Sequence, residues 1–323
     1  MHKVLVVGGC GFLGYHLCNF LLKKKNYKID IIDNFSKGKK DIHIKNLLKN
    51  PNVKLYVSDL SKNYIKIKQY NYDYIFQFAA ILGVDRVINN PFNVLNKNYL
   101  IHFNVINFAK KQKNLKKFIF SSTSEVHIGN VLKNKLKFPT EEKHEIILEN
   151  FEYPRLSYAI SKIYCESILY HSKIPFSIIR PHNLYGERMG NLHVIPNLFE
   201  RISKLKNGQV LNLNSYNHRR CFCYINDAVK QIYVLMKSKK YLNQPINIGN
   251  NTEEITILKL SRIITKILDK KIKIKKTTKV NNSPKRRIPN LDRIESIIKK
   301  QKYLNIQDGC NNLYKWQIKN KII

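Results

Sequence analysis

Tyr158 and Lys162 are the residues of this sequence whose types and spacing best suit proton transfer. They stand four residues apart in the run Tyr158-Ala-Ile-Ser-Lys162, and this spacing places both side chains on one face of a helix. An ammonium group beside a phenol favours the phenolate, so we expect Lys162 to lower the pKa of Tyr158 and make it a base near neutral pH. Such pairs also occur on surface helices without any catalytic role. The elements around this pair decide between a catalytic pair and an ordinary surface pair.

A cluster of hydroxyl groups follows an apolar stretch earlier in the chain. The run from Phe118 to Glu125 predicts a buried strand that ends in serines, a threonine and an acid. A hydroxyl here can hydrogen-bond an alcohol oxygen while Tyr158 removes its proton. We therefore predict that one of these hydroxyl groups acts together with Tyr158. The alternatives are an ordinary Ser/Thr turn and, for Glu125, a helix-capping or turn acid.

Three glycines stand near the N-terminus. Gly8, Gly11 and Gly14 have the spacing G-x-x-G-x-x-G and lie between a predicted strand, Lys3–Val7, and a predicted helix, Phe12–Lys24. Free backbone amides at a helix N-terminus bind a pyrophosphate, and glycine lets the phosphate oxygens approach closely. The alternative is a tight turn before a buried helix.

The next predicted strand, Tyr27–Ile32, ends at Asp33, nineteen residues after Gly14. A carboxylate at this distance can accept both ribose hydroxyls of an adenosine. It would repel a 2′-phosphate, so the sequence predicts NAD as the cofactor rather than NADP.

The first half of the chain alternates predicted strands and helices, which favours a parallel sheet. We predict an α/β fold, a Rossmann-type doubly wound parallel sheet with a smaller C-terminal lobe. The predicted NAD-binding domain is 1–185 and the substrate lobe is 186–323, with segments that interleave between them. The remaining elements of the first half are strands Val53–Val57, Tyr72–Phe78, Lys117–Ser121 and Pro175–Arg180, and long helices Pro91–Lys113 and Tyr158–His171.

The C-terminal part predicts shorter elements. They are helices Val194–Lys204, Asp227–Lys237 and Ile255–Leu268, strands Gln209–Leu213, Arg220–Ile225 and Pro245–Ile248, an edge strand Lys271–Lys279, a basic loop Asn281–Pro289 and two short helices at the end.

The composition limits the classes of partner. The net charge is +36 in 323 residues, but the lysines are spread along the chain among many Asn and Ile residues, and no nucleic-acid-binding motif is present. We therefore expect no physiological nucleic-acid partner.

No apolar run reaches the roughly 20 residues of a membrane span. The six cysteines have neither disulfide nor metal-site spacing, which favours reduced thiols in a cytoplasmic protein and no metal.

Taken in order along most of the chain, these motifs resemble the extended short-chain dehydrogenase/reductases of the nucleotide-sugar epimerase/dehydratase family. The matching motifs are the glycine turn, Asp33, Ser58-Asp59-Leu60, Gln77-Phe-Ala79-Ala80, Thr123, Tyr158 and Lys162, Arg180-Pro-His-Asn183-Leu-Tyr-Gly186, Val194-Ile-Pro196, Arg220-Cys-Phe-Cys-Tyr-Ile-Asn-Asp227, and Arg286-Arg287-Ile-Pro289.

The resemblance implies roles for individual residues. Asn183 would bind the phosphate region of a nucleotide sugar, Val194 would flank its base, and Arg220 with one of Arg286 or Arg287 would neutralise its diphosphate. A homodimer through a four-helix bundle of the two long helices is also implied. The implied NAD contacts are Gly8, Gly11, Phe12, Leu13, Gly14, Asp33, Asn34, Asp59, Leu60, Ala79, Ala80, Asn98, Ser121, Tyr158 and Lys162.

Three positions depart from the family pattern. Gln77 stands where histidine is usual, Ile101-His102 replaces a common Gly-Thr, and Glu187 replaces the proline that usually follows Tyr-Gly. Glu187 is expected to place a negative charge near the sugar.

The resemblance implies a catalytic set of Thr123, Tyr158 and Lys162. It also implies transient oxidation at C4 of an NDP-hexose by NAD, with Tyr158 as base. The triplet Thr123-Ser124-Glu125 resembles that of GDP-mannose 4,6-dehydratases and UDP-glucuronate decarboxylases. Glu125 would be the base at C5 in a dehydratase, whereas Ser124 and Glu125 would surround the departing carboxylate in a decarboxylase. An NDP-sugar 4-epimerase, a net sugar-nucleotide dehydrogenase and a non-catalytic NAD-binding protein are the alternatives. The sequence does not identify the nucleotide or the sugar.

Overall fold

The computed structural model describes residues 1–68, 71–277, 284–298 and 301–323. In these residues the strands are β1 (His2–Val7), β2 (Tyr27–Asp33), β3 (Val53–Val57), β4 (Tyr74–Gln77), β5 (Lys117–Ser121), β6 (Phe176–Pro181), β7 (Leu184–Tyr185), β8 (Val210–Asn214), β9 (Arg219–Cys221), β10 (Cys223–Tyr224), β11 (Pro245–Ile248), β12 (Glu254–Thr256), β13 (Lys273–Thr277) and β14 (Arg286–Arg287). The α-helices are α1 (Phe12–Lys23), α2 (Ile42–Leu48), α3 (Val84–Asn89), α4 (Pro91–Lys110), α5 (Ile128–Leu132), α6 (Leu156–Tyr170), α7 (Val194–Ser203), α8 (Ile225–Lys237), α9 (Ile257–Ile267), α10 (Asp292–Ile298) and α11 (Ile306–Lys319). A 3₁₀ turn, Ser124–His127, follows β5.

The central sheet of the described residues has seven parallel strands in the order β11-β6-β5-β4-β1-β2-β3. Its inner strands are runs of buried apolar residues, as expected where helices cover both faces. Helices α1 and α8 pack on one face, and α4 and α6 pack on the other. The prediction of a Rossmann-type doubly wound α/β fold is confirmed.

The strand order reverses at β1, which lies between β2 and β4. The strands after β1 along the chain first extend the sheet on the β2 side and then, from β4 onward, on the other side. Val7 at the end of β1 is aligned with Ile32 of β2 and with Gln77 of β4. The residues that follow these three strands therefore meet at one edge of the sheet. Ligands of doubly wound sheets bind in the crevice at such a point.

The C-terminal elements divide between two locations. A three-stranded sheet, β12-β9-β14, lies in the lobe together with the pairs β10-β7 and β13-β8. Helices α7, α9 and α11 surround the separate apolar core of this lobe. In contrast, β11 joins the main sheet, and α8 and α10 pack against it. The domain division at residues 185 and 186 stays a prediction.

One predicted C-terminal strand is wrong, and one predicted loop is wrong in part. The segment Arg220–Ile225 does not form one strand, because β9 pairs with β12 and β14 whereas β10 pairs with β7. Phe222 separates the two short strands. In the predicted basic loop 281–289, two residues pair with β9 as β14, and residues 281–283 lie outside the described part.

Two further boundaries differ. The predicted helix Ile255–Leu268 begins at Ile257, because the Thr256 side chain accepts a hydrogen bond from the Lys259 amide and caps it. The predicted edge strand Lys271–Lys279 is observed over β13, and its last two residues are not described.

All six cysteines are buried free thiols. None of the helices in the described residues has the length and apolar content that a membrane span requires.

Candidate active site

The glycine turn, which we define as Gly8 to Gly14, requires its glycines for steric reasons. Gly8 has φ +83°, and a Cβ built on it would lie 2.6 Å from the amide nitrogen of Ala79. A Cβ on Gly14 would lie 2.4 Å from the carbonyl oxygen of Gly8. Gly11 is the N-cap of α1, so the amides of Phe12 and Leu13 in the first turn have no intrahelical acceptor. This arrangement fits the pyrophosphate of NAD.

The carboxylate of Asp33 lies beside the glycine turn. It accepts hydrogen bonds from the backbone amides of Cys10 (3.0 Å) and Phe35 (2.8 Å). Burial raises the pKa of Asp33, and these hydrogen bonds oppose the shift. The position at the end of β2 is the one expected for a carboxylate that accepts ribose hydroxyls.

A cavity of about 600 Å³ opens at the ends of β2 and β3. Asn34 and Asp59 line it, and the carboxylate of Asp59 accepts hydrogen bonds from the amide and hydroxyl of Ser61. Leu60 is buried beside it, with its carbonyl held by the Asn104 side chain at 2.8 Å. The cavity has room for an adenine, and the predicted NAD contacts of Asn34, Asp59 and Leu60 stay predictions.

Asn98 holds the segment that follows β4. Its Oδ1 accepts from the Ile81 amide (2.7 Å), and its Nδ2 donates to the Ile81 carbonyl (3.2 Å) and to Ser161 Oγ (3.0 Å). Asn98 thereby links the Ala79–Ala80 segment on the crevice to α6. In this structure the side chain of Asn98 positions the predicted cofactor contacts Ala79 and Ala80.

Two departures from the family pattern contact each other. Gln77 Oε1 and His102 Nδ1 are 2.8 Å apart, and both side chains are buried. The His102 ring lies 4.7 Å from the ring of Phe120. Burial and the nearby charge of Lys162 lower the pKa of His102 to about 3, so the pair is neutral. The two departures therefore form one buried, hydrogen-bonded pair.

Thr123, Tyr158 and Lys162 come together at the end of β5. Thr123 caps the 3₁₀ turn by accepting from the Glu125 amide at 3.1 Å, and its side chain hydrogen-bonds Tyr158. Lys162 Nζ donates to the Ser121 carbonyl at 2.7 Å and lies 4.7 Å from the centre of the Phe120 ring. The three predicted catalytic side chains therefore share one site.

The protein's own groups raise the pKa of Tyr158. Burial is the main cause, the negative charge of Glu125 adds to it, and the Thr123 hydrogen bond opposes both. This direction is opposite to the one expected from Lys162. Burial lowers the pKa of Lys162 to about 8.

Glu125 is held between two arginines. Arg155 Nη2 and Arg287 Nη2 lie 3.0 and 2.9 Å from the same oxygen, Oε1. Burial alone would raise the pKa of Glu125, but Arg287 and Arg155 outweigh it and hold the pKa at about 2. Sequence reasoning missed Arg155, although it stands three residues before Tyr158 at the start of the same helix.

Arg220 completes an arginine cluster, which we define as Arg155, Arg220 and Arg287. Arg220 is buried, and its Nη2 donates to the Pro284 carbonyl at 2.6 Å. Burial, followed by the charges of Arg287 and Arg155, lowers the pKa of Arg220 to about 9. The cluster therefore carries more positive charge than Glu125 neutralises, which suits an anionic ligand.

The structure distinguishes Arg286 from Arg287. Arg286 forms a two-point ion pair with Glu254, at 2.8 and 3.1 Å, on the outer side of β14. Arg287, the next residue of the strand, bonds Glu125 instead. Of the two predicted substrate arginines, Arg287 lies in the site.

The remaining predicted substrate residues lie in the lobe. Asn183, at φ +42°, donates through Nδ2 to the Cys221 carbonyl at 3.0 Å, and Val194 begins α7 with its side chain partly exposed. Ser124 lines a small cavity with Glu125. Their predicted ligand contacts stay predictions.

A strap from the lobe, residues 186–188, contacts the glycine turn, and sequence reasoning did not find it. Arg188 pairs with Asp41 at 2.9 Å, approaches the Cys10 carbonyl at 3.4 Å, and lies 4.3 Å from the centre of the Tyr15 ring. On the other side of the strap, His16 Nε2 lies 2.8 Å from the Glu187 carbonyl.

The side chain of Glu187 is also engaged. Its carboxylate accepts a hydrogen bond from the Tyr224 hydroxyl, so the charge that was expected near the sugar has a protein partner.

These features define an α/β enzyme site in which Tyr158 and Lys162 lie close to a cluster of arginines. The model of the NAD dependent epimerase/dehydratase family matches residues 4–249. The chain belongs to this family, and its cofactor is NAD.

Two curated relatives extend the comparison. The bifunctional polymyxin resistance protein ArnA of Wigglesworthia glossinidia brevipalpis is 30% identical over 282 residues, which is 83% of this chain and 41% of that protein. The UDP-N-acetyl-alpha-D-glucosaminuronate decarboxylase of Bacillus cytotoxicus is 31% identical over 258 residues, covering 78% of this chain and 76% of the relative.

A solved structure has the same fold. The UDP-N-acetylglucosamine 4-epimerase of Methanobrevibacter ruminantium, in complex with UDP-N-acetylmuramic acid, superimposes with a TM-score of 0.84 at 24% identity and covers 99% of both chains.

Proposed function

We propose that this protein is an NAD-dependent decarboxylase of a nucleotide-linked hexuronic acid. The observation that carries the proposal is the ionised Glu125 held between Arg155 and Arg287, beside the catalytic tyrosine. The relative from Bacillus cytotoxicus is named as a decarboxylase of this kind, which supports the same choice.

The first step is oxidation at C4 of the sugar. Tyr158 takes the proton of the C4 hydroxyl, and Thr123, which bonds Tyr158, orients the oxygen. Bound NAD would supply the hydride acceptor for C4 and the means to return the hydride. Lys162 is fixed by the Ser121 carbonyl, and its ammonium group favours the phenolate form of Tyr158 once a ligand fills the site.

The charge state of Glu125 favours decarboxylation over dehydration as the second step. A carboxylate with a pKa of about 2 is a poor base, so it is not suited to removing the C5 hydrogen in a dehydration. Decarboxylation needs no base at C5. The bond from C5 to the carboxylate breaks, its electron pair enters the enolate of the C4 ketone, carbon dioxide leaves, and C5 takes up a proton. Positive charge from the arginine cluster stabilises the enolate.

The cluster also supports a doubly anionic substrate. Three guanidinium groups and one carboxylate leave an excess of positive charge next to the catalytic tyrosine. Buried guanidinium groups bind carboxylate and phosphate through paired hydrogen bonds. We assign Arg220 to the diphosphate and Arg155 with Arg287 to the C5 end of the sugar, with Asn183 and Val194 on the nucleotide side.

The test is product mass. The purified protein with NAD is incubated separately with UDP-glucuronate, UDP-N-acetylglucosaminuronate, UDP-glucose, GDP-mannose and dTDP-glucose. We expect one uronate to lose carbon dioxide and the neutral hexoses to stay unchanged. Loss of water from a hexose would identify a dehydratase, and unchanged mass with altered stereochemistry would identify a 4-epimerase; either result overturns the proposal.

NADH absorbance during turnover separates two forms of the reaction. A flat signal means that the hydride returns to the sugar, whereas a rise equal to the product formed means net oxidation and a released keto sugar.

We also propose a homodimer formed by α4 and α6. The two helices pack together and expose apolar side chains on their outer side: Phe92, Leu95, Phe103, Tyr164 and Tyr170. Phe103→Glu should give a monomer by light scattering, whereas Phe151→Glu, which changes an exposed aromatic outside these helices, should leave the dimer intact. A monomeric wild-type protein would exclude this interface.

The six free thiols support a cytoplasmic location.

A further inference from the structure

His182 and the Glu125–Arg287 ion pair line the same small cavity. His182 follows β6, is 4% exposed, and lines the cavity of about 20 Å³ together with Ser124, Glu125 and Arg287. The remaining lining is mostly apolar and comes from Ile128, Val131, Leu136, Thr140 and Pro284. His182 stands inside the family motif Arg180–Gly186, but none of the roles described above includes it.

The hydrogen bonds of Asn247 fix the tautomer of His182. Asn247 Nδ2 donates to the carbonyls of Thr140 (3.0 Å) and Asn290 (3.1 Å), so its Oδ1 is an acceptor. His182 Nε2 lies 3.1 Å from that oxygen and therefore carries the proton. The other ring nitrogen, Nδ1, is a hydrogen-bond acceptor.

That acceptor has no partner among the described residues, although it is buried. Buried polar atoms are nearly always hydrogen-bonded to protein or to ordered water. The cavity has room for one water molecule, and it offers the polar partners that such a water needs, namely His182, Ser124 and the Glu125–Arg287 pair.

We propose that His182 is a positioning residue, and that it acts through one water molecule held between its Nδ1 and the Glu125–Arg287 pair. Both arginines bond the same oxygen of Glu125, Oε1. These ion pairs therefore do not fix the rotation of the carboxylate group about its axis, and other contacts have to do so. A water anchored on a buried imidazole supplies such a contact. The catalytic part of the proposal rests on the proposed decarboxylation.

Two conservative variants separate positioning from structural support. His182→Asn keeps an acceptor near the place of Nδ1 but loses the bond to Asn247, whereas His182→Gln reaches Asn247 but places no group at Nδ1. We expect His182→Gln to keep the melting temperature and to lose about tenfold in kcat with KM unchanged. We expect His182→Asn to melt earlier and to keep kcat within about twofold.

Ser177→Ala is the matched control. Ser177 also has a buried side-chain oxygen without a partner among the described residues, and it stands on β6, the strand that His182 follows, outside the cavity. Its kcat should equal that of the wild type. Equal kcat in wild type and His182→Gln, or equal losses of kcat in both His182 variants, would overturn the catalytic role.

A crystal structure of the wild type tests the water itself. We expect an ordered water within hydrogen-bond distance of His182 Nδ1 and of Glu125 or Arg287, and its absence would overturn the proposal. This measurement does not depend on turnover. If the wild type releases no carbon dioxide from any uronate, the proposed function fails, and the crystal structure alone then decides the water site.

Discussion

The glycine turn and the arginine cluster, the two regions to which we assign anion binding, are built in opposite ways. The glycine turn offers backbone amides and excludes side chains, because a Cβ on Gly8 or Gly14 would meet backbone atoms within 2.6 Å. The arginine cluster offers long side chains, brought together from α6, β9 and β14. A substitution in the glycine turn therefore acts through a steric clash that is confined to one turn. A substitution in the arginine cluster instead changes the electrostatic environment of all its residues.

The largest effect should come from the phenol that lies between these two regions. Tyr158→Phe should lower kcat by about 10³-fold, because the base is removed while both anion-binding regions stay intact. NAD affinity, measured by calorimetry, should stay within about twofold of the wild type. Full activity in this variant would exclude the mechanism.

The next largest effect should come from the arginine cluster. Arg287→Ala should lower kcat by about 10²-fold, because Glu125 loses one of its two ion-pair partners and the enolate loses a positive charge. Arg286→Ala is the matched control. Arg286 is half-exposed and pairs with Glu254, so its loss should change kcat by less than about twofold. Equal effects of the two variants would contradict the assignment of Arg287.

A smaller effect is expected from the glycine turn. Gly14→Ala should weaken NAD binding by about tenfold, since its Cβ would lie 2.4 Å from the Gly8 carbonyl and displace the turn. Gly190→Ala, whose Cβ would meet nothing within 4 Å among the described residues, is the control. Calorimetric titration with NAD measures both. Unchanged affinity in Gly14→Ala would show that the turn does not form the pyrophosphate site.

The smallest effect is a pH dependence of stability. The pKa of Glu125 is lowered from 4.5 to about 2, so its ion pairs stabilise the folded state fully above pH 4.5 and lose this contribution as the pH falls toward 2. The difference in unfolding free energy between wild type and Glu125→Gln should therefore shrink below pH 4.5. Urea unfolding of both proteins at several pH values measures it, and a difference that grows on acidification would show that the arginines do not control this carboxyl.

The comparison also explains what the sequence could predict. The glycine turn, Asp33 and the Tyr158–Lys162 pair are local patterns, and their geometry follows from one strand, one turn or one helix. The parallel sheet follows from the alternation of strands and helices, and the Rossmann-type prediction is confirmed. These features require no knowledge of distant contacts.

The arginine cluster could be predicted only in part. The choice between Arg286 and Arg287 depends on the pairing of β14 with β9, which aligns Arg287 with Arg220. Arg155 becomes part of the site only because Glu125 and Arg287 arrive from other segments. The raised pKa of Tyr158 likewise comes from burial, a tertiary property that a four-residue spacing does not report.

The strap at residues 186–188 ties the two halves of the molecule together. Arg188 contacts Asp41 and the Cys10 carbonyl, and the carbonyl of Glu187 contacts His16, so the bonds all end on or beside the glycine turn. Any hinge motion that swings the lobe away from the sheet has to break them. Release of the spent sugar through such a motion would also loosen the grip on the coenzyme, whereas exit along the open face of the crevice would leave it in place.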